Sequence, residues 1–143
     1  MKKLLAVATM AVMLCLTGLV ISGTAIAQQC VDNGDGTVTD NGTGLMWQKA
    51  TAGPMNWDAA MSYASSLSLG GHSGWGLPSK DELLGLYHGP SCRDMMDVRK
   101  DYYWSSTTYA LYTDYAWLVN YLGGVGSSDK SGSYYIRAVR AGQ

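Results

Sequence analysis

The first 27 residues constrain the chain most, because they hold most of its aliphatic block and are built like an export signal rather than part of a fold. Met1-Lys2-Lys3 is a short positive segment, Leu4 to Ile21 is almost unbroken apolar sequence, and Ala25-Ile26-Ala27 sets small side chains before a cleavage point. An apolar run of about 18 residues approaches bilayer-spanning length, so a retained anchor is the competing reading. The small residues before the cut favour removal after Ala27. Cys15 follows Leu14, where a lipoprotein signal carries Gly, Ala or Ser, so lipidation is not expected. The expected product is one exported domain, residues 28–143, with no membrane segment after cleavage.

Setting that block aside changes the arithmetic. Lys2 and Lys3 leave with it and no acid does, so 10 basic and 11 acidic residues become 8 and 11, a net charge of −3. A mildly acidic domain is no general polyanion trap, and nucleic acid is not an expected partner. The 5 Trp and 10 Tyr all remain, and with no Phe in the chain they must supply much of the core. The 18 glycines lack a three-residue period, which excludes a collagen-like chain. Two cysteines remain, Cys30 and Cys92, and an exported chain with an even count is expected to pair them. A two-cysteine metal or redox site would want CxxC spacing and nearby His, which are lacking.

Asp32 to Gly44 packs Asp-Gly and Asn-Gly steps around the β-prone run Thr37 to Thr39, and Leu45-Met46-Trp47-Gln48 follows, which predicts an N-terminal hairpin. Asn56 caps a predicted helix with apolar positions at Trp57, Ala60, Met61, Ala64 and Leu67, ended by Gly70-Gly71. Ser79-Lys80-Asp81-Glu82 is a capping-box pattern opening a second, shorter helix that stops at Gly89. Strands are then expected over Tyr102 to Tyr109, Tyr115 to Leu122 and Tyr134 to Val139, with residues 123–133 as a flexible hairpin loop. The order is hairpin, two helices, antiparallel sheet, an α+β arrangement.

Four blocks in this order, DNGDGTVTDNGTGLMWQK at 32–49, GHSGWGLPSKDELLGLY at 71–87, YWSSTTY at 103–109 and YYIRAVRAG at 134–142, resemble the Lcl C-terminal domain family, also called DUF1566. The resemblance spans essentially all of 28–143. It implies an exported bacterial domain, secreted or periplasmic, with a C-type lectin-like fold shared with the formylglycine-generating enzymes. It also implies kinship with a collagen-like adhesin whose terminal domain binds sulfated glycans. Gly76 stands where the family's WRLP block has Arg, and Ala141 where a Gly normally follows the last Arg. The first departure removes a five-donor fork and a positive charge, which weakens any transfer of polyanion binding.

Little in the chain points to catalysis. His72 lies between Gly71 and Ser73 and reads as a loop hydrogen-bonder, and His88 at a helix end suits a dipole contact. The reactive cysteine pair of the formylglycine group is not carried over, because Cys30 and Cys92 are expected to be structural. Asp32, Asn33, Asp35 and Asp40 form the densest oxygen cluster, with Asp114 and Asp129 as further candidate ligands from late loops. Calcium is the lesser reading, because the distal Glu and regular alternation of an EF-hand are missing and Asx-Gly turns need no metal. No metal or other cofactor is therefore expected.

Trp47, Trp57, Trp75, Trp104 and Trp117 are each expected to be structural. The ligand candidates are Tyr109, Tyr112, Asp114, Asp129 and Lys130, on loops held by strands. Arg137 and Arg140 are expected to pair with carboxylates. The function these features suggest is a non-enzymatic binding module for an extracellular glycan or surface protein. The alternative is an envelope-associated structural or protein-interaction subunit, and self-association into a homo-oligomer stays open.

Overall fold

The computed structural model describes residues 29–142, so the expected export signal lies outside the described residues. The strands are β1 (Cys30–Asp32), β2 (Thr37–Asp40), β3 (Leu45–Gln48), β4 (Ala52–Met55), β5 (Tyr102–Thr108), β6 (Tyr115–Asn120), β7 (Val125–Asp129), β8 (Tyr134–Ile136) and β9 (Val139–Ala141). Between β4 and β5 lie α1 (Trp57–Ser66), α2 (Lys80–His88) and the single turn α3 (Pro90–Arg93). One sheet has the order β1-β2-β3-β9 and the other β4-β8-β5-β6-β7. All pairings are antiparallel except β5 with β8, which meet at Tyr103 and Tyr135. This is an α+β domain of two mostly antiparallel sheets.

The expected hairpin is β2–β3, with Val38 opposite Trp47 and Thr39 opposite Met46. Both helix starts follow their side-chain chemistry. Asn56 accepts the Ala59 N–H, and Ser79 and Glu82 exchange both bonds of a capping box. The first helix stops earlier than expected, at Ser66, because Gly70 and Gly71, both at positive φ, are used in a separate turn between Leu69 and His72.

Two strands depart from the sequence reading. Residues 125–129 form β7 rather than a flexible loop, paired from Tyr115–Asp129 to Val119–Val125. Gly and Ser are poor strand formers, but β6 offers a complete ladder, and a Cβ on Gly126 would lie 3.3 Å from the Tyr102 ring. The expected strand Tyr134 to Val139 is two strands, β8 and β9, in different sheets. Gln48 mediates the crossing: its side-chain Oε1 accepts the Ala138 N–H at 3.1 Å, while its own N–H donates to the Ala138 carbonyl at 2.9 Å.

The core has two parts. One gathers Val38, Trp47, Leu83, Leu86, Tyr87 and Tyr103 around the Cys30–Cys92 disulfide, and the other gathers Met46, Ala60, Ala64, Trp75, Leu77 and Trp104 under α1. The disulfide joins Cα atoms 5.2 Å apart and ties β1 to α3. Trp47, Trp75 and Trp104 are core residues, as expected, whereas Trp57 and Trp117 are only half-buried.

Arg137 is fully buried, yet it meets no carboxylate among the described residues. Its guanidinium donates to the main-chain carbonyls of Gln48, Lys49, Ala50 and Asp97 and to Thr51 Oγ1. Arg140 likewise donates to the Ser73 carbonyl, beside the Trp75 ring, rather than to an acid. Carbonyl dipoles replace the expected ion pairs at both arginines.

Candidate functional site

The β5–β6 connection turns tightly because its main chain bonds to itself: the Tyr109 N–H donates to the Tyr115 carbonyl and the Tyr115 N–H to the Tyr112 carbonyl. That closure projects a cluster of rings beside β7. Tyr109 and Tyr112 lie 6.0 Å apart with planes only 6° from parallel, and Tyr115 sits 5.9 Å from Tyr112. Trp117 backs Tyr109 at 4.7 Å. Tyr109, Tyr112, Tyr115 and Ser127 line a surface cup of about 350 Å³, and Tyr112 is 65% exposed.

Two lysines brace the cup. Lys80, at the first turn of α2, places its ammonium 4.4 Å from the Trp117 ring, and its N–H donates to Thr107 Oγ1. Lys130 lies 4.1 Å over Trp57 and donates to Thr108 Oγ1 at 3.0 Å. Its own N–H donates to the Asp114 carbonyl, and its carbonyl accepts the Trp57 N–H. Each cation is held against an aromatic face, an attraction of about 0.5–1 kcal/mol at such partly wet sites.

Of the five ligand candidates, Tyr109 and Tyr112 form the cup wall. Asp114, Asp129 and Lys130 stand on the adjoining main chain without lining it. Asp129 lies opposite Tyr115 in the ladder, and hydrogen bonds from the Ser131 main chain and side chain hold its carboxyl below the usual range. Tyr115 and Ser127 were not among the candidates. The sequence reading puts Tyr115 within a strand and Ser127 within a flexible loop. In β6 Tyr115 is exposed and Ala116 buried, but Val119, on the Tyr115 face by period two, is buried as well, so alternation alone does not mark Tyr115 as a surface ring.

The acidic N-terminal residues serve turns. Asp32 accepts the Gly34 N–H and pairs with Lys49, Asp35 accepts Thr37 N–H and Oγ1–H, and Asp40 accepts from Gln29 and Gly42. Asn33 donates to Thr37 and Thr39. Among the described residues, the one group of three His, Cys, Asp or Glu ligand atoms within 4.8 Å is Cys30, Asp40 and Cys92. Its sulfurs are bonded to each other, so it presents no thiolate. His72 uses its main chain, pairing with Leu69 and accepting from Trp75 Nε1, and the His88 ring packs over Gly123. No helix among the described residues is long and apolar enough to cross a membrane.

Fold and site together define a small α+β domain with an aromatic cup at one sheet edge. The family model for the Lcl C-terminal domain matches residues 36–140, and the chain belongs to that family. No curated protein sequence matches it.

Proposed function

We propose that this chain is an exported, non-enzymatic binding module of C-type lectin-like fold, acting outside the bacterial cytoplasm on a glycan of the cell surface or its surroundings. The observation that carries this reading is the cup: a parallel Tyr109–Tyr112 pair, with Tyr112 largely in water, beside a concavity of about 350 Å³. Rigid aromatic faces with polar tips suit wet recognition surfaces at low entropic cost. Asp114, Asp129 and Lys130, on the adjoining main chain, would offer polar contacts to a ligand that extends beyond the cup. A glycan array probed at low salt tests the reading; absence of retention on every glycan class sinks it.

A second reading, an envelope-associated interaction subunit, is favoured by exposed apolar side chains at Leu111 (77%), Leu122 (62%) and Val125. Large apolar side chains left in water are candidates for burial against a partner. Sedimentation showing a concentration-dependent oligomer that Leu111→Ser abolishes supports it, and a strict monomer excludes its self-associating form.

A further inference from the structure

A groove runs between the β2–β3 hairpin and α2. Asp40, Leu45 and Trp47 line one wall and Asp81, Glu82 and Gly85 the other, around about 240 Å³. A second concavity of about 130 Å³ shares Asp40 and Gly85 with it and extends to Gln29. Neither shares a lining residue with the aromatic cup.

Two features of this groove have no explanation within the fold. Trp47 is 1% exposed, and its Nε1–H is the one buried side-chain polar group among the described residues that lacks a hydrogen-bond partner. Buried donors of this kind are almost always paired. Gly85 occupies the middle of α2, where only proline is a poorer helix former, although a Cβ there would meet nothing within 4 Å. Nothing among the described residues requires glycine at that position, and its bare backbone keeps the groove open.

The charge is one-sided. Asp40, Asp81 and Glu82 line the groove with no lysine or arginine among its walls, and the neighbouring Lys80 is turned to Trp117. Glu82 is committed to the capping box and Asp40 to Gln29 and Gly42, which leaves Asp81, exposed at the rim, as the carboxylate most available to an incoming cation. Each concavity is smaller than the roughly 300 Å³ at which small-molecule sites begin, a size for single side chains of an extended segment. Phosphates and acidic sugars are repelled by the same carboxylates.

We propose that this groove docks a basic, extended segment of a partner protein. A Lys or Arg side chain of that segment reaches Asp81, and its aliphatic stem lies against Leu45 and the bare backbone of Gly85, beside Trp47. The site does not depend on ligand binding at the aromatic cup.

The test uses ¹⁵N-labelled protein expressed from the full-length chain and titrated with acetyl-Gly-Arg-Gly-amide. The Trp47 indole cross-peak, assigned by its loss in Trp47→Phe, should shift saturably, and acetyl-Gly-Glu-Gly-amide should leave it in place. Asp81→Asn should weaken the response about two- to five-fold, as for loss of one partly exposed ion pair. Gly85→Leu should abolish it, while the indole peaks of Trp57, Trp75, Trp104 and Trp117 hold their positions and report an intact fold. A Trp47 peak that ignores the arginine peptide, responds equally to the glutamate peptide, or responds normally in folded Gly85→Leu overturns the proposal. A shift with protein concentration alone assigns the groove to a second copy and overturns it too.

Discussion

Arg137 donates from Nη2 to the main-chain carbonyl of Asp97 at 2.7 Å. With the Nη1 bond to the Gln48 carbonyl, also 2.7 Å, that fork fastens the crossing between the two sheets to the loop that precedes β5. The guanidinium is fully buried and is satisfied by dipoles rather than by a counter-charge, so its removal strands several carbonyls at once. A lysine has the charge but not the planar fork. Arg137→Lys is expected to lower unfolding free energy by on the order of 3 kcal/mol, whereas Arg140→Lys, which loses one exposed bond to Ser73, should cost about 1 kcal/mol or less. Urea unfolding of both variants measures the difference.

The Arg137 cluster also marks the limit of what the sequence discloses. Helix starts were legible because a cap is local: Asn56, Ser79 and Glu82 lie within three residues of the groups they satisfy. The β2–β3 hairpin was legible for the same reason. The split of β8 from β9 was not, because it depends on Gln48, some 90 positions earlier, and on carbonyls that any residue could have supplied. β7 was hidden by a Gly and Ser composition that only pairing with β6 overrides. At the candidate site, Tyr109 and Tyr112 could be proposed from an exposed loop context. Ser127 became visible only once β7 stood beside the rings.

The disulfide closes a loop of 62 residues, from β1 to α3. Chain-entropy reasoning puts the stabilisation from such a loop at about 4 kcal/mol. Cys30→Ser with Cys92→Ser should therefore lower the denaturant midpoint of the intact protein by a matching amount. Val38, Leu86 and Tyr87 surround the bond, so the double variant should first loosen the β1–β2 end of the domain. Hydrogen exchange at the Asn41 N–H, which donates to the Gln29 carbonyl, reports that opening. Unchanged midpoints would contradict the linkage.

The turn before β2 is expected to be acid-sensitive. The Asp35 carboxylate accepts from Thr37 Oγ1 at 2.6 Å and from the Thr37 N–H at 3.1 Å. The Thr37 hydroxyl bond is the largest influence holding its pKa below 3.8. A carboxyl depressed in the folded state contributes stability at pH values above its unfolded pKa and loses it as pH falls through the folded value. The Thr37 amide should thus stay protected at neutral pH and lose protection below about pH 4. Asp35→Asn should remove that pH step. Amide exchange measured across pH 2–6 decides it.

Tyr112→Ala tests the proposed recognition surface apart from stability. It is 65% exposed, so Tyr112→Ala should change unfolding free energy by only about 0.5 kcal/mol, the usual range for a surface side chain. If the parallel pair with Tyr109 is the recognition surface, the same substitution should weaken retention on the glycan selected by the array about tenfold, as loss of an aromatic anchor does. Tyr109→Ala should do both, because that ring also packs on Trp117 at 4.7 Å. Gly85→Leu, on the groove beside the hairpin, should leave glycan retention unchanged. Equal retention by wild type and Tyr112→Ala would remove the cup from recognition, while a loss of retention in Gly85→Leu would move the glycan to the other site.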